Sequence, residues 1–297
     1  MDKILTEQEY RAYPALNSTA LSSFYNKGVN SPDHALMKFD YKSYFEYGKM
    51  FETMLQDAAT GSKEFEKRFY LSGLTNAMPE KLIEWIDNKE ELTDYYEYTK
   101  AGKLSGTYKG RHAYLDEAIK NPGKIPVSQR DGDMLERHTD NMMKMQYGDH
   151  KVSELLGKAQ WQVPVTFVDF DDIEKKALLD CLVSEGEEQI LIDIKTTASF
   201  QKFGYFLRDK YFIQDLLYTH AVNAKFGYCR NMVFFAASKE APYLCAPFEI
   251  DYGGVDFKCE AVDGFFDLCK DYKKWNDSGR LPVGWLPTQT VKKYPAK

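Results

Sequence analysis

The spacing of apolar and polar positions changes character near residue 160 of this 297-residue chain. Before that point, the pattern predicts short helices and turns over 1–45, a helix over 46–59, and charged, aromatic, mostly helical sequence over 60–158. Beyond it, short apolar runs rich in β-branched residues predict strands over 161–168, 177–183, 189–196, 231–237 and 243–250. Helical periodicity returns over 208–226 and 254–276. This order of elements predicts one α/β core.

We expect the whole chain, 1–297, to form a single domain. Its predicted parts are a mainly helical region over 1–158, a sheet and helix carrying the functional site over 159–250, and a C-terminal helix and tail over 251–297. The sequence contains neither internal repeats nor low-complexity segments that would divide it further.

Three charged residues interrupt the apolar strands at the centre of this region. Asp180 lies in one strand, while Asp193 and Lys195 lie in the next and share a face, because side chains two residues apart on a strand do so. Burying a charge is costly unless it is paired or binds a metal. The pattern therefore favours a magnesium-dependent phosphodiesterase site over a structural ion pair. The tripeptide Asp-X-Lys alone is weak evidence, because it recurs in polar surroundings at Asp40, Asp87, Asp149, Asp256 and Asp271.

The residue types in these strands suit phosphodiester hydrolysis, which needs oxygen ligands for magnesium and a cation near the attacked phosphate. Asp180 and Asp193 are the candidate metal ligands, with the backbone carbonyl of Ile194 as a further one. Lys195 is the candidate to orient or activate the attacking water and to balance negative charge. Burial would lower the pKa of Lys195, whereas its two acidic neighbours would oppose that change.

The following helix carries a second set of candidates. Gln214 and Tyr218 are four residues apart and share one face, with Tyr211 one turn earlier. A half-buried helix with no catalytic role explains this spacing equally well. A polar stretch over 100–111 holds four basic residues that are either a solvated loop or contacts to a DNA backbone: Lys100, Lys103, Lys109 and Arg111.

Composition narrows the class of protein. The chain is 43% hydrophobic and carries a formal net charge of −6, which argues against broad electrostatic coating of nucleic acid but permits a locally basic groove. The five cysteines show no Cys-X-X-Cys spacing, so we expect no zinc finger, disulfide framework or iron–sulfur cluster. No signal peptide and no membrane-spanning apolar run is visible, and we expect a cytoplasmic protein.

The ordered combination of these motifs resembles the PD-(D/E)XK nuclease superfamily, in particular its RecB-type group and the RecE or exonuclease VIII-like phage exonucleases. The resemblance runs from an N-terminal segment to an aromatic end near Trp285, and its motifs are ALNSTALSSF (15–24), SPDHAL (31–36), Asp180, Asp193, Lys195, Gln214, Tyr218 and VGWLP (283–287). It implies a restriction-endonuclease-like α/β core, with a central mixed sheet flanked by helices and a helical N-terminal elaboration. It also implies catalytic roles for the two aspartates, the lysine, Gln214 and Tyr218.

Two positions depart from the family pattern. A metal-binding histidine of the family falls at Glu52, within GKMFE (48–52), and a glutamate falls at Gln162. Glutamate is a hard oxygen ligand that suits magnesium, whereas an uncharged amide binds it more weakly. Together the two replacements keep the number of carboxylates the same, but the negative charge lies at position 52 instead of position 162. Either the two replacements compensate for each other, or the enzyme is altered.

By resemblance, we expect a magnesium-dependent exonuclease, with manganese able to substitute, that degrades one strand of linear duplex DNA from its 5′ end. The expected partners are double-stranded DNA ends, a single-strand annealing protein that receives the 3′ overhang, and further copies of the chain in a trimer or tetramer. The expected setting is the cytoplasm of a bacterial host, with the protein encoded by a phage or prophage. The alternatives are a RecB-type repair or CRISPR-associated nuclease, and a catalytically weakened DNA-binding or inhibitor protein on the same scaffold.

Overall fold

The structure is a computed structural model that describes residues 6–25, 43–73, 116–169, 171–207, 211–253 and 255–279. These residues form two compact units: the first lies within 1–41, 154–240 and 246–297, and the second within 42–153 and 241–245. Some sequence predictions lie outside the described residues, namely SPDHAL (31–36), the basic residues Lys100, Lys103, Lys109 and Arg111, and the aromatic end near Trp285.

The helices and strands follow one another in an order close to that predicted. They are α1 (Glu7–Ala12), α2 (Ser18–Tyr25), α3 (Ser43–Thr60), α4 (Glu64–Arg68), β1 (Phe69–Leu71), β2 (Ile125–Val127), α5 (Gln129–Lys144), β3 (Gln146–Tyr147), β4 (His150–Lys151), α6 (Val152–Lys158), β5 (Gln160–Val168), β6 (Glu174–Glu185), β7 (Glu188–Thr197), α7 (Phe200–Phe206), α8 (Phe212–Lys225), β8 (Met232–Ser238), β9 (Cys245–Phe248) and α9 (Val255–Asp277).

The first unit is built on a five-stranded mixed sheet with the order β5-β6-β7-β8-β9. Strands β5, β6 and β7 are antiparallel neighbours joined by short connections, whereas β7 and β8 are parallel. A parallel pair needs a crossover, and helices α7 and α8 supply it. The predicted strands are confirmed, with β6 beginning three residues earlier than predicted, but α7 was not predicted as a separate helix.

Aromatic and aliphatic side chains of several helices cover the sheet and form its core. Phe24 of α2 is fully buried, and its ring centroid lies 5.2 Å from that of Tyr272 and 5.3 Å from that of Trp275, both on α9. The N-terminal and C-terminal helices of this unit therefore pack against each other. Burying large aromatic side chains is a leading source of stability in such cores.

A buried lysine docks the N-terminal segment onto the sheet. The Nζ atom of Lys176 donates hydrogen bonds to the carbonyl oxygens of Tyr10 at 2.9 Å and Tyr13 at 2.5 Å. It also lies 4.9 Å from the centroid of the Tyr10 ring. Asn17 then caps α2 by accepting a hydrogen bond from the Ala20 amide at 2.9 Å, as its residue type favours. These contacts fix where α2 begins.

The second unit contains the predicted 46–59 helix, which is confirmed as α3 and buries Phe51 and Leu55 completely. His138 of α5 is also fully buried, and its Nδ1 atom lies 2.8 Å from the Tyr47 hydroxyl. The mostly helical pattern did not predict the short strands here, the parallel pair β1 and β2 and the antiparallel pair β3 and β4. In the described part of the chain, every helix falls short of the length or hydropathy needed to span a bilayer.

Candidate active site

Three polar residues stand side by side across neighbouring strands of the first unit. In the β6–β7 pairing, Cys181 lies opposite Ile192, and continuing this register places Asp180 beside Asp193. In the β5–β6 pairing, Trp161 and Val163 lie opposite Cys181 and Leu179, which places Gln162 beside Asp180. We call this set, Gln162, Asp180 and Asp193, the polar row. The prediction that the two aspartates occupy adjacent strands is confirmed.

Asp180 is held by groups from both neighbouring strands. Its Oδ2 atom accepts a hydrogen bond from the Ile194 amide at 2.9 Å, and its Oδ1 atom accepts one from Gln162 Nε2 at 3.4 Å. Gln162 has a φ of 51°, which is uncommon for a residue other than glycine. Such conformations cluster at functional sites. The local backbone therefore breaks the regular β5–β6 ladder where the side chain of Gln162 reaches Asp180.

Asp193 is the most enclosed member of the polar row, with 1% of its surface exposed. Gln214 Nε2 of α8 donates a hydrogen bond to its Oδ1 atom at 2.6 Å, and Lys195 Nζ forms an ion pair with its Oδ2 atom. The Lys195 side chain is 22% exposed, whereas that of Asp193 is almost fully enclosed. The structure thus brings together the predicted residues of β7 and the predicted glutamine of α8.

Helix α8 and its N-cap residue supply the two predicted tyrosines, Tyr218 and Tyr211. The Lys195 Nζ atom lies 5.5 Å from the centroid of the Tyr211 ring, a distance at which a cation is attracted to an aromatic face. Tyr218 is buried and is hydrogen-bonded to Ser18, the first residue of α2. Sequence reasoning assigned no individual role to Ser18, and its link to Tyr218 becomes apparent only when the N-terminal segment is docked.

The electrostatics of the site follow from burial and close charges. Burial, followed by the negative charge of Asp193, raises the pKa of Asp180 to about 7. Burial lowers the pKa of Lys195, but the charges of Asp193 and Asp180 outweigh it, so the net pKa is raised. The prediction that acidic neighbours oppose the effect of burial is confirmed. Lys195 is therefore protonated in this arrangement and can balance negative charge. Burial also raises the pKa of Tyr218 to about 12.

Asp180→Asn is expected to remove a pH-dependent loss of stability from the metal-free protein. The folded-state pKa of about 7 lies above the value of about 3.9 for an exposed aspartate. Between these values the folded protein keeps a proton that the unfolded chain loses, so the free energy of unfolding falls as pH rises from about 4 to about 7. Thermal melts in EDTA should show this decline in the wild-type protein and a smaller one in the variant. Equal slopes would contradict the prediction.

The two carboxylates of the polar row fit a hard divalent cation, because carboxylate oxygens are the protein ligands that bind magnesium. Asp180 and Asp193 would hold the metal from adjacent strands. Among the described residues, no group of three or more His, Cys, Asp or Glu side chains is arranged to hold a metal ion by itself. Glu52 lies on α3 in the second unit, so its predicted contribution stays a prediction, as does that of the Ile194 carbonyl.

Sequence reasoning missed Asp215, a buried carboxylate next to Gln214 on α8. Its Oδ1 atom accepts hydrogen bonds from the Met232 amide at 2.7 Å and from the Thr219 hydroxyl at 3.2 Å, and its Oδ2 atom accepts one from the Tyr252 hydroxyl at 2.6 Å. These bonds tie α8 to the start of β8 and so help to fix Gln214 over the sheet. An acidic residue within the apolar run 212–217 was the signal that could have identified it.

The mixed sheet, the polar row and the lysine define the class of a PD-(D/E)XK-type domain. Residues 128–282 match the model of a family described as a PDDEXK-like domain of unknown function (DUF3799). The match covers just over half of the chain, and the chain belongs to this family. The predicted superfamily and fold class are thereby confirmed. Membership of a PDDEXK-like family supports a nuclease.

Solved structures share little sequence identity with this chain. A crystal structure of a candidate exonuclease from Eubacterium rectale has 12% sequence identity and a TM-score of 0.45, over 100% of this chain and 97% of the other. The crystal structure of the protein SSO0001 has 16% identity and a TM-score of 0.29, over 82% of this chain and 90% of the other. No curated protein matches the chain. The family match alone therefore carries the assignment.

Proposed function

We propose that this protein is a divalent-metal-dependent DNA exonuclease. The observation that carries the proposal is the juxtaposition of Asp180 and Asp193 on adjacent strands with Lys195 paired to Asp193. Two carboxylates and a cation thus lie together at one site. The chain also belongs to a PDDEXK-like family, which supports a nuclease. A structural ion pair would need only Asp193 and Lys195. The site also contains a second acid, Asp180, whose pKa is raised by burial.

Each residue of the site has a definite task in phosphodiester hydrolysis. Bound magnesium would polarise the phosphate and lower the pKa of a coordinated water. Asp180 and Asp193 would hold the metal through their carboxylate oxygens, and Gln214 fixes the orientation of the Asp193 carboxylate. Protonated Lys195 balances the charge that builds on the phosphoryl oxygens and orients the attacking water. Tyr218 is protonated at neutral pH, as an unshifted tyrosine would be, and its raised pKa reflects burial and the charges of the two nearby acids, Asp193 and Asp180.

The finer parts of the proposal rest on the family resemblance of the sequence motifs. They are magnesium as the natural metal, 5′-to-3′ degradation of linear duplex DNA, and a 3′ overhang delivered to a single-strand annealing protein. A phage or prophage origin, a bacterial cytoplasmic setting and a trimeric or tetrameric ring belong to the same proposal. A ring would keep the enzyme on DNA topologically, which suits an acidic chain with a net charge of −6.

A digestion of linear duplex DNA labelled separately at each 5′ and 3′ end tests the proposed reaction. With magnesium, we expect early release of the 5′ label, retention of the 3′ label and no cutting of covalently closed circles. Without magnesium, all labels should be retained. Cutting of closed circles would show that the enzyme is an endonuclease and not an exonuclease. DNA that stays intact with every divalent metal tested would contradict nuclease activity.

A catalytically weakened DNA-binding protein is the second candidate. Gln162 favours it, because this uncharged side chain occupies the polar row where the family pattern has a glutamate and bonds to Asp180. Gln162→Glu distinguishes the two candidates. A large gain in cleavage by this variant over a nearly inactive wild-type protein would support the second candidate, whereas an active wild-type protein would exclude it.

Glu52→Gln is expected to weaken magnesium affinity and to lower the rate if Glu52 supplies the ligand that the family histidine supplies. A neutral amide binds magnesium less well than a carboxylate, so the activity should need a higher metal concentration and recover partly when that is provided. Glu52→His should keep much of the activity. Glu46→Gln, on the same helix α3, is the matched control. A magnesium titration of Glu52→Gln that overlays both the control and the wild type would identify Glu52 as a surface residue.

The proposed assembly has its own test. Light scattering should give three or four subunits, and salt should slow loading onto DNA ends more than continued digestion, because encounter is electrostatic whereas retention in a ring is topological. A monomer that releases its DNA to a competitor after each cut would contradict the ring.

A further inference from the structure

Helix α7 presents an unusual exposed face directly after the strand that carries Asp193 and Lys195. Strand β7 ends at Thr197 and α7 spans Phe200–Phe206. Phe203 is buried in the core, but Tyr205 is 59% exposed and Phe206 is 41% exposed. Lys202 is exposed too, three and four residues before the two rings, so all three side chains belong to one side of the helix.

This face is continuous with the active site through a chain of ring contacts. Lys195 Nζ lies 5.5 Å from the centroid of the Tyr211 ring, and the centroid of the Phe206 ring lies 6.4 Å from that of Tyr211. The Phe206 ring is therefore within about 12 Å of the lysine ammonium. A strand within a DNA duplex advances about 3.4 Å per nucleotide and an unpaired strand can be more extended, so this distance corresponds to no more than about three or four nucleotides.

We propose that the exposed face of α7, formed by Lys202, Tyr205 and Phe206, binds unpaired bases of a DNA strand next to the phosphate that is cut. Exposed aromatic rings interleaved with a cation are the combination that binds single-stranded nucleic acid, the rings by stacking on bases and the cation by contacting the backbone. This inference rests on the proposed function, which places a DNA phosphate at Lys195. It adds that the enzyme holds single-stranded rather than base-paired nucleotides beside its active site.

Stacking is the reason that the face should discriminate between single and double strands. Bases inside a duplex are stacked on one another, whereas a frayed or unpaired nucleotide leaves its π-face available to a side chain. Each base–aromatic contact of this kind strengthens binding by roughly 1–3 kcal/mol, which corresponds to about 5-fold to 150-fold in affinity. The removal of one ring should therefore weaken binding to a single strand by about tenfold and leave duplex binding almost unchanged.

The test uses the full chain made inactive by Asp193→Asn and an oligonucleotide that carries the fluorescent base 2-aminopurine near its end. In this background, Tyr205→Ala and Phe206→Leu should each weaken binding to the single strand, and the quenching of 2-aminopurine on binding should be lost. Phe206→Tyr keeps a ring and should restore both. Tyr228→Ala is the matched control, because Tyr228 is 60% exposed and pairs with Glu188 at the opposite end of β7.

The possible outcomes separate this inference from the proposed function. If the wild-type enzyme cuts DNA but Tyr205→Ala and Phe206→Leu bind and quench as Tyr228→Ala does, the α7 site is wrong and the nuclease proposal stands. If the wild type cuts no DNA but the two ring variants lose single-strand binding, the nuclease proposal fails and the binding site stands. Self-association in sedimentation experiments that Tyr205→Ala abolishes, with unchanged DNA binding, would assign the face to a second copy of the chain and overturn the inference.

Discussion

Asp193→Asn is expected to abolish metal-dependent DNA cleavage while the protein stays folded. The substitution preserves the size of a side chain that is 1% exposed, and its oxygen can still accept the hydrogen bond from Gln214. It removes the charge that pairs with Lys195 and that would hold the metal. Losing one preorganised charged group from such a site costs about 10²–10³-fold in rate, and losing a metal ligand costs more. Lys195→Met should have a similar effect, because it removes the ammonium group that balances the phosphoryl charge and orients the attacking water.

Single-turnover cleavage of linear duplex DNA, compared with circular dichroism and thermal melts of each variant, measures this prediction. Asp149→Asn is the matched control, because Asp149 belongs to the same Asp-X-Lys tripeptide but lies exposed between β3 and β4. The control should cut at the wild-type rate. A near wild-type rate in Asp193→Asn or Lys195→Met would show that the polar row is a structural ion cluster.

The central sheet and the two aspartates of the polar row could be predicted from the sequence because both depend on local alternation, whereas Gln162 was identified only through the family resemblance. Apolar residues at β-strand spacing identify β6 and β7, and a charged residue inside such a run stands out because its burial needs compensation. The short connection between these strands then places Asp180 beside Asp193. The spacing of Gln214 and Tyr218 likewise predicted that they share one side of a helix.

Other features depend on tertiary contacts that no local pattern encodes. The positive φ of Gln162 occurs where its side chain reaches Asp180 on the neighbouring strand, and a sequence of alternating residues gives no sign of it. Helix α7 was missed because FQKFGYF is short, contains a glycine and has too few turns for clear periodicity. The buried hydrogen bond between Tyr218 and Ser18 joins residues far apart in the sequence.

Two lysines at the start of β6 show most clearly that tertiary contacts cannot be predicted from a local sequence pattern. Lys175 and Lys176 precede the apolar run 177–183, so their charge placed them outside the predicted strand. Both are buried in the structure. Lys176 is satisfied by backbone carbonyls of the N-terminal segment, and Lys175 pairs with Asp171, whose side chain is equally buried. Charged residues of this kind can be placed correctly only when their partners are known.

Lys175→Met is expected to destabilise the protein by about 3–5 kcal/mol, because it leaves the Asp171 carboxylate buried without its cation. The Lys175 ammonium group also donates a hydrogen bond to the Ile173 carbonyl at 3.3 Å, and the loss of this bond destabilises the protein further. Methionine keeps most of the side-chain volume beside the rings of Phe167 and Phe266, so a cavity contributes little.

The double variant Asp171→Leu, Lys175→Met separates the charge from the packing. When both charges are absent, neither needs compensation, and a buried pair replaced by apolar residues is often neutral or more stable. Urea unfolding should therefore show a double variant that is more stable than Lys175→Met alone. The exposed pair between Lys158 and Glu185 is the control, since Lys158→Met should change stability by no more than about 1 kcal/mol. A double variant as unstable as the sum of its single substitutions would show that Asp171 and Lys175 contribute independently, through packing and backbone contacts, and that their pairing adds no coupling energy.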